Sequence, residues 1–160
     1  MQTGILAKYI SILYRQEQKY INHVLSPYGL GYSSYKFLLY LSRNEVGSQK
    51  QMCRNMVIDE ALATRVMKKL EEQGYVCREK GNGRTYQLFL SEKARELVPK
   101  IRQAVTVLWG NLTETWSKQQ MDWVLQELPQ MIEKANDMIG QIGEDEDGTS
   151  QTKSTGHREN

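Results

Sequence analysis

Between Ser48 and Val76 the chain reads SQKQMCRNMVIDEALATRVMKKLEEQGYV, and few folds accept this stretch because every few residues carry a start, stop or packing signal for helix. Ser48 with Gln51 three residues later is a capping box, in which the hydroxyl takes the Gln51 backbone N–H and the Gln51 amide reaches back to the Ser48 N–H. The spacing therefore predicts a helix from Ser48, with Met52 and Met56 on one face and Ile58 ending the turn. Asp59 suits the N-cap of a second helix whose buried stripe is Leu62, Ala63, Val66 and Leu70, and Gly74 suits its C′ position. The outer face of that second helix holds Glu60, Ala61, Thr64, Arg65, Lys68 and Lys69, small and polar near the N-terminus and basic further along. That order fits a helix entering a DNA major groove. Small residues let it approach base edges, and cations one or two turns on meet phosphates. Any amphipathic helix has a polar face, so the helix pair alone does not decide the function.

After Gly74 the apolar period changes to two. Tyr75 to Lys80 and Arg84 to Leu90 alternate as strands do, around Gly81-Asn82-Gly83, whose Asn-Gly pair tolerates positive φ and is a strong hairpin signal. A two-helix unit joined at once to a hairpin with a basic tip, Lys80 and Arg84, reads as a winged helix-turn-helix. The competing reading is an ordinary exposed hairpin whose cations only aid solubility. Charge favours the first. From Lys36 to Lys100 there are 13 Lys and Arg against 8 Asp and Glu, a net +5, whereas the whole chain carries +2 and the remainder therefore −3.

The flanks are helical. Ile5, Leu6, Tyr9, Ile10, Leu13, Tyr20, Ile21, Val24 and Leu25 recur at helical spacing around the polar cluster 15–19, so that the two apolar ends can bury against different things, one of them another subunit. Ser26-Pro27-Tyr28-Gly29 breaks this helix, Ser33 or Ser34 caps the next, with Tyr35, Phe37, Leu38 and Leu41 as core, and 44–47 forms a polar turn. Ser91 caps a helix from Glu92 to about Leu112 that Pro99 should bend. A second capping box, Ser117 with Gln120, opens a last helix striped by Met121, Val124, Leu125, Leu128, Met131, Ile132, Ala135, Met138 and Ile139, with a kink expected at Pro129. These helices hold more apolar surface than a compact winged domain can cover, which a homodimer would remedy. The expected fold class is mainly α with a small β-hairpin wing (α+β). Its parts are an N-terminal dimerisation helix over 1–30, a winged helix-turn-helix over 31–91, C-terminal dimerisation helices over 92–142 and a disordered polar tail over 143–160.

Other chemistry finds little footing. No Ser/His/Asp set, phosphate loop or paired acid–base motif can be assembled in these 160 residues, so we expect no enzyme, and no cofactor is called for. His23 and His157 are the only histidines and support no metal site. No basic segment followed by an apolar core opens the chain, and no apolar run is long enough to cross a bilayer, so the expectation is a cytoplasmic protein with no membrane partner. Cys53 falls where a helix-turn-helix needs a small residue, and Cys77 lies on a wing strand. Both read as structural cysteines of a reducing compartment rather than redox sensors.

The chain resembles the MarR family of bacterial transcriptional regulators. The resemblance runs from about Ile5 to Ile139 and rests on LGYSSYKFLLYL (30–41), on 48–76, on the wing residues Asn82 to Arg84, and on LSEKARELVP (90–99). IDEALATRVMKKLEEQGYV is similar to the family's recognition helix almost position for position. Leu90-Ser91-Glu92-Lys93 resembles its Leu-Thr-x-x-Gly opening of the next helix, with Ala94 in place of Gly. The resemblance implies groove contacts at Ala61, Thr64 and Arg65, phosphate near Lys68, and a minor-groove arginine at Arg84. It departs from the family at the wing, where Asp-x-Arg reads Asn82-Gly83-Arg84 and the hairpin is shorter, and at Val57, where glycine is frequent. The surface expected to meet double-stranded DNA is then Gln49, Lys50 and Arg54, with Glu60, Ala61, Thr64, Arg65, Lys68 and Lys69, and Lys80, Asn82 and Arg84. The resemblance further implies an obligate dimer and repression of a pseudo-palindromic operator, relieved by a small aromatic or amphipathic effector. Tyr14, His23 and Tyr35 are its candidate contacts, although tyrosines in such positions also serve as core or interface packing. The alternative function is a winged-helix protein-interaction module without DNA binding.

Overall fold

The computed structural model describes residues 2–43, 48–80 and 86–151, the segment 142–151 by backbone. Among the described residues the order is α1 (Thr3–Leu25), a single 3-10 turn (Ser26–Tyr28), α2 (Tyr32–Arg43), α3 (Gln49–Met56), α4 (Glu60–Glu72), β1 (Val76–Lys80), β2 (Tyr86–Leu90), α5 (Glu92–Leu112) and α6 (Lys118–Gln151). The strands pair antiparallel with Val76 opposite Leu90 and Lys80 opposite Tyr86. This is the expected mainly α fold with a β-hairpin wing; the Asn44–Gly47 turn and the wing tip lie outside the described residues.

Local chemistry accounts for most helix ends. Ser48 Oγ accepts the Gln51 N–H at 3.2 Å, and Asp59 Oδ1 accepts the Leu62 N–H at 2.9 Å. Each cap is worth about 1 kcal/mol. At the far end of α4, Gly74 sits at φ +73°, its N–H bonding the Glu71 carbonyl while the Tyr75 N–H bonds that of Leu70. This is the double bond pattern of a Schellman motif, which needs a left-handed residue at that point. Ser91 Oγ accepts the Ala94 N–H at the start of α5, and Ser117 and Gln120 exchange both bonds of a capping box, at 2.8 and 3.2 Å.

The start of α2 differs from expectation. The helix begins at Tyr32, with Ser33 and Ser34 inside it, because the Asn22 side chain of α1 accepts the Tyr32 N–H at 2.8 Å and supplies from another helix the cap that a local serine would have given. A Cβ at Gly31 would come within 2.8 Å of Asn22 Oδ1, so a larger residue there would push the capping side chain aside.

The chain divides at Leu112 into two units, Met1–Leu112 and Thr113–Asn160. In the first, Phe37, Leu38, Met52, Met67, Leu70, Leu88 and Ile101 are fully buried in one core with Ile21 and Leu25. Each such side chain stabilises the fold by about 1.5–3 kcal/mol relative to exposure. Met67 belongs to this core although the expected stripe leaves it out. The end of α1 and the face of α5 bearing Ala94, Leu97 and Ile101 share one core with α2, α3 and α4. The second unit contains α6, 34 residues and roughly 50 Å long at 1.5 Å per residue. The helix continues to Gln151, past the expected tail boundary at Gly143. Extending a formed helix costs less per residue than starting one. Residues 152–160 lie outside the described residues.

Candidate nucleic-acid interface

α4 is held by its C-terminal end. Gln73 Nε2 donates to the Gly29 carbonyl at 2.9 Å, Ser91 Oγ to the Gly74 carbonyl at 2.7 Å, and the Lys93 ammonium to the Gln73 carbonyl at 3.0 Å. The lysine places a positive charge at the negative end of the helix dipole. Tyr75 adds a bond from its hydroxyl to the Tyr28 carbonyl, 2.8 Å. With Ala63, Val66, Met67 and Leu70 buried, the opposite face of α4 points outward, and Glu60, Ala61, Thr64, Arg65, Lys68 and Lys69 all lie on it, exposed.

The structure brings the first helix of the pair to the same surface. Gln49 Nε2 donates to Thr64 Oγ1 at 2.7 Å, and Thr64 Oγ1 itself donates to the Glu60 carbonyl at 2.8 Å, so Gln49 clasps α4 one turn in from its N-terminus. Lys50 and Arg54 are exposed on α3. Among the described residues Lys50, Arg54, Arg65 and Lys69 form no ion pair, and Lys68 has only an exposed pairing with Glu72 at 3.8 Å. Exposed pairs of that kind contribute little and yield readily to a phosphate. Lys80 is exposed at the end of β1, opposite Tyr86; Asn82 and Arg84 lie outside the described residues.

The turn between α3 and α4 is strained. Val57 has φ 51° and ψ 53°, the left-handed region, and is the one non-glycine residue there among the described residues. A β-branched side chain in that region costs on the order of 1–2 kcal/mol. Val57 thus adopts the conformation for which glycine is the default. Cys53, one turn earlier, is buried, and burial pushes its thiol pKa up, which disfavours the reactive thiolate.

Behind this turn lies a cleft of about 540 Å³ lined by Tyr14, Tyr32, Lys36, Val57, Ile58 and Leu62 among others. Tyr32 stacks edge-on with both Tyr14 (5.4 Å) and Tyr35 (5.3 Å), but of the three candidate effector residues only Tyr14 lines the cleft, Tyr35 being buried behind it in the core. His23 is not among the lining residues; it sits nine residues beyond Tyr14 on α1, about 13 Å along the axis. Sequence reasoning missed the Glu17 carboxylate, which holds Tyr32 from the side away from the cleft lining. It accepts bonds from Tyr32 Oη (2.6 Å), Tyr35 Oη (3.2 Å) and Trp109 Nε1 (3.3 Å), drawn from two other helices. Burial, then the adjacent Glu17, raise both tyrosine pKa values. The Lys36 ammonium lies 4.4 Å from the Tyr32 ring centroid, and burial lowers its pKa against the opposing pull of Glu17. The only local signal was an acidic residue between the two apolar ends of α1.

No family model matches the chain. The HTH-type transcriptional regulator BilQ of Clostridioides difficile (strain CD3) is 26% identical over 113 residues, 69% of this chain and 76% of that protein. A MarR transcriptional regulator from Methanosarcina mazei Go1 superposes with a TM-score of 0.78 at 29% identity, over 84% of this chain and 99% of that one. The chain has the winged-helix fold of the MarR-type regulators to which it is similar. The MarR-type fold also extends to a putative MarR family transcriptional regulator from Listeria monocytogenes solved with 26mer DNA, with a TM-score of 0.81 at 18% identity over 86% and 93% of the two chains.

Proposed function

We propose that the chain is a DNA-binding transcriptional regulator that acts as a homodimer on a pseudo-palindromic operator, as a repressor in the cytoplasm. The observation that carries this reading is the outward face of α4, where Arg65 and Lys69, which form no ion pair among the described residues, follow small residues on a helix clamped at its C-terminal end. The HTH-type regulator and the DNA-complexed structure among its relatives support it. Dimer formation is supported by the exposed apolar residues at the start of α1 and along α6, among them Ile5, Tyr9 and Ile10 in one unit and Trp123, Leu125 and Ile132 in the other. Arg84 is assigned to the minor groove on the family resemblance alone.

Selection from a random DNA pool, with titration of the winning sequences at fixed salt, tests the reading. Arg65→Ala should cost about 1–3 kcal/mol and relax specificity, whereas Lys68→Ala should weaken all sequences alike and lower the salt slope by about one unit. A pool that yields no preferred sequence would sink the proposal. We further propose that the Tyr14, Tyr32 and Lys36 cleft receives the effector, since it abuts the Val57–Ile58 turn on which α4 depends. Lys36→Ala should then abolish release of DNA by any compound found to cause it, with DNA affinity retained.

A further inference from the structure

Thr64 is exposed at the middle of the candidate reading face, yet its hydroxyl is already committed. The Glu60 carbonyl, 2.8 Å away, can only accept, so the single hydroxyl proton of Thr64 goes there. Gln49, 2.7 Å away on the other side, must therefore be the donor, which fixes the orientation of its amide. An oxygen that has given its proton to its own helix and accepts from α3 has no donor left for a base edge. A purine N7 or O6, or a thymine O4, would meet only acceptor lone pairs. The one lone pair left on that oxygen could accept only from an adenine or cytosine amino group, so toward an edge made of acceptors Thr64 offers its methyl group, and Ala61, three residues earlier on the same exposed ridge, offers only a methyl as well.

We propose that Thr64 reads the 5-methyl group of a thymine in the major groove, and that Gln49 is a positioning residue that holds the threonine in this rotamer. In the major groove the 5-methyl group is the one apolar feature of a base pair, so a side chain presenting carbon there discriminates thymine from cytosine without a hydrogen bond. The inference rests on the reading of the chain as a DNA-binding regulator.

The experiment replaces each thymine of a selected operator with deoxyuridine, symmetrically in both half-sites, which removes the methyl and leaves every hydrogen-bonding group in place. One position should lose about tenfold in affinity for the wild-type protein, the effect of two lost methyl contacts. Thr64→Ser keeps the hydroxyl and removes the methyl, so it should bind thymine and deoxyuridine operators equally at that position. Thr64→Val keeps the methyl and frees Gln49, so it should bind more weakly overall while still preferring thymine. Thermal unfolding of each variant verifies that it is folded. A selected operator that tolerates deoxyuridine at every position overturns the proposal while leaving the DNA-binding reading intact. A Thr64→Ser protein that keeps the full thymine preference overturns it too. A pool with no preferred sequence defeats both readings, and so tells the two failures apart.

Discussion

The two halves of α1 have similar sequences and opposite fates. Ile21 and Leu25 near its C-terminus are 0% and 1% exposed, locked among α2, α5 and the turn after α1, whereas Ile5, Leu6, Tyr9 and Ile10 near its N-terminus are 48–62% exposed. Both sets repeat at helical spacing and both are apolar enough to belong to a core. The difference shows that periodicity reports which face of a helix wants burial, while the source of the burying surface is a separate matter. Glu17, between them, marks the changeover, since its carboxylate gathers Tyr32, Tyr35 and Trp109 at the edge of the core.

The largest effect expected along α1 is at Ile21. Ile21→Ala removes a fully buried side chain and should destabilise the protein by about 2–5 kcal/mol in urea unfolding, because the packed core can collapse onto the vacated volume only in part. An effect under about 1 kcal/mol there would erase the distinction between the two halves.

Next comes the N-terminal half, where the readout changes. Tyr9→Lys combined with Ile10→Glu should leave the fold of the single chain intact, convert the proposed dimer to monomer in sedimentation, and lower operator affinity by about a hundredfold or more, near 2.7 kcal/mol. The melting temperature of the wild type should rise with protein concentration and that of the double variant should not. A double variant that still sediments as a dimer would place the interface elsewhere.

Smaller again is the change at the junction. Glu17→Gln keeps the shape but replaces charge-assisted acceptors with a neutral amide, and should cost about 1–2 kcal/mol. Ultraviolet titration gives the finest measure. Burial and then Glu17 hold the Tyr32 and Tyr35 pKa values above the ordinary value near 10, so these two hydroxyls should stay protonated when exposed tyrosines ionise. Because the folded-state values are raised, the stabilisation from this network is complete below about pH 10 and is lost as pH climbs through them. Glu17→Gln should bring both transitions to lower pH. Ordinary ionisation of all tyrosines in the folded wild type would show that the network does not form.

Legibility in the sequence tracked the range of the interaction. The Ser48, Asp59, Ser91 and Ser117 caps and the Gly74 turn need only residues within five positions of one another, so spacing alone placed α3, α4 and the starts of α5 and α6, and with them the outward face that bears Ala61, Thr64 and Arg65. Where a distant residue replaces a local signal, spacing misleads. Asn22 supplies the cap that moved the start of α2 to Tyr32, ten residues away. Glu17 meets Trp109 across 92 residues, and Gln49 binds a threonine fifteen residues on, so neither the tyrosine network nor the committed Thr64 proton had a signature to read. Sequence by itself determined which segments are helix or strand and which faces are apolar, because dihedral preference, capping and amphipathic period act over a few residues. Only the tertiary structure decided which apolar faces are covered and which polar atoms remain available to a partner, because a hydrogen bond or a packed contact depends on what arrives from elsewhere in the chain.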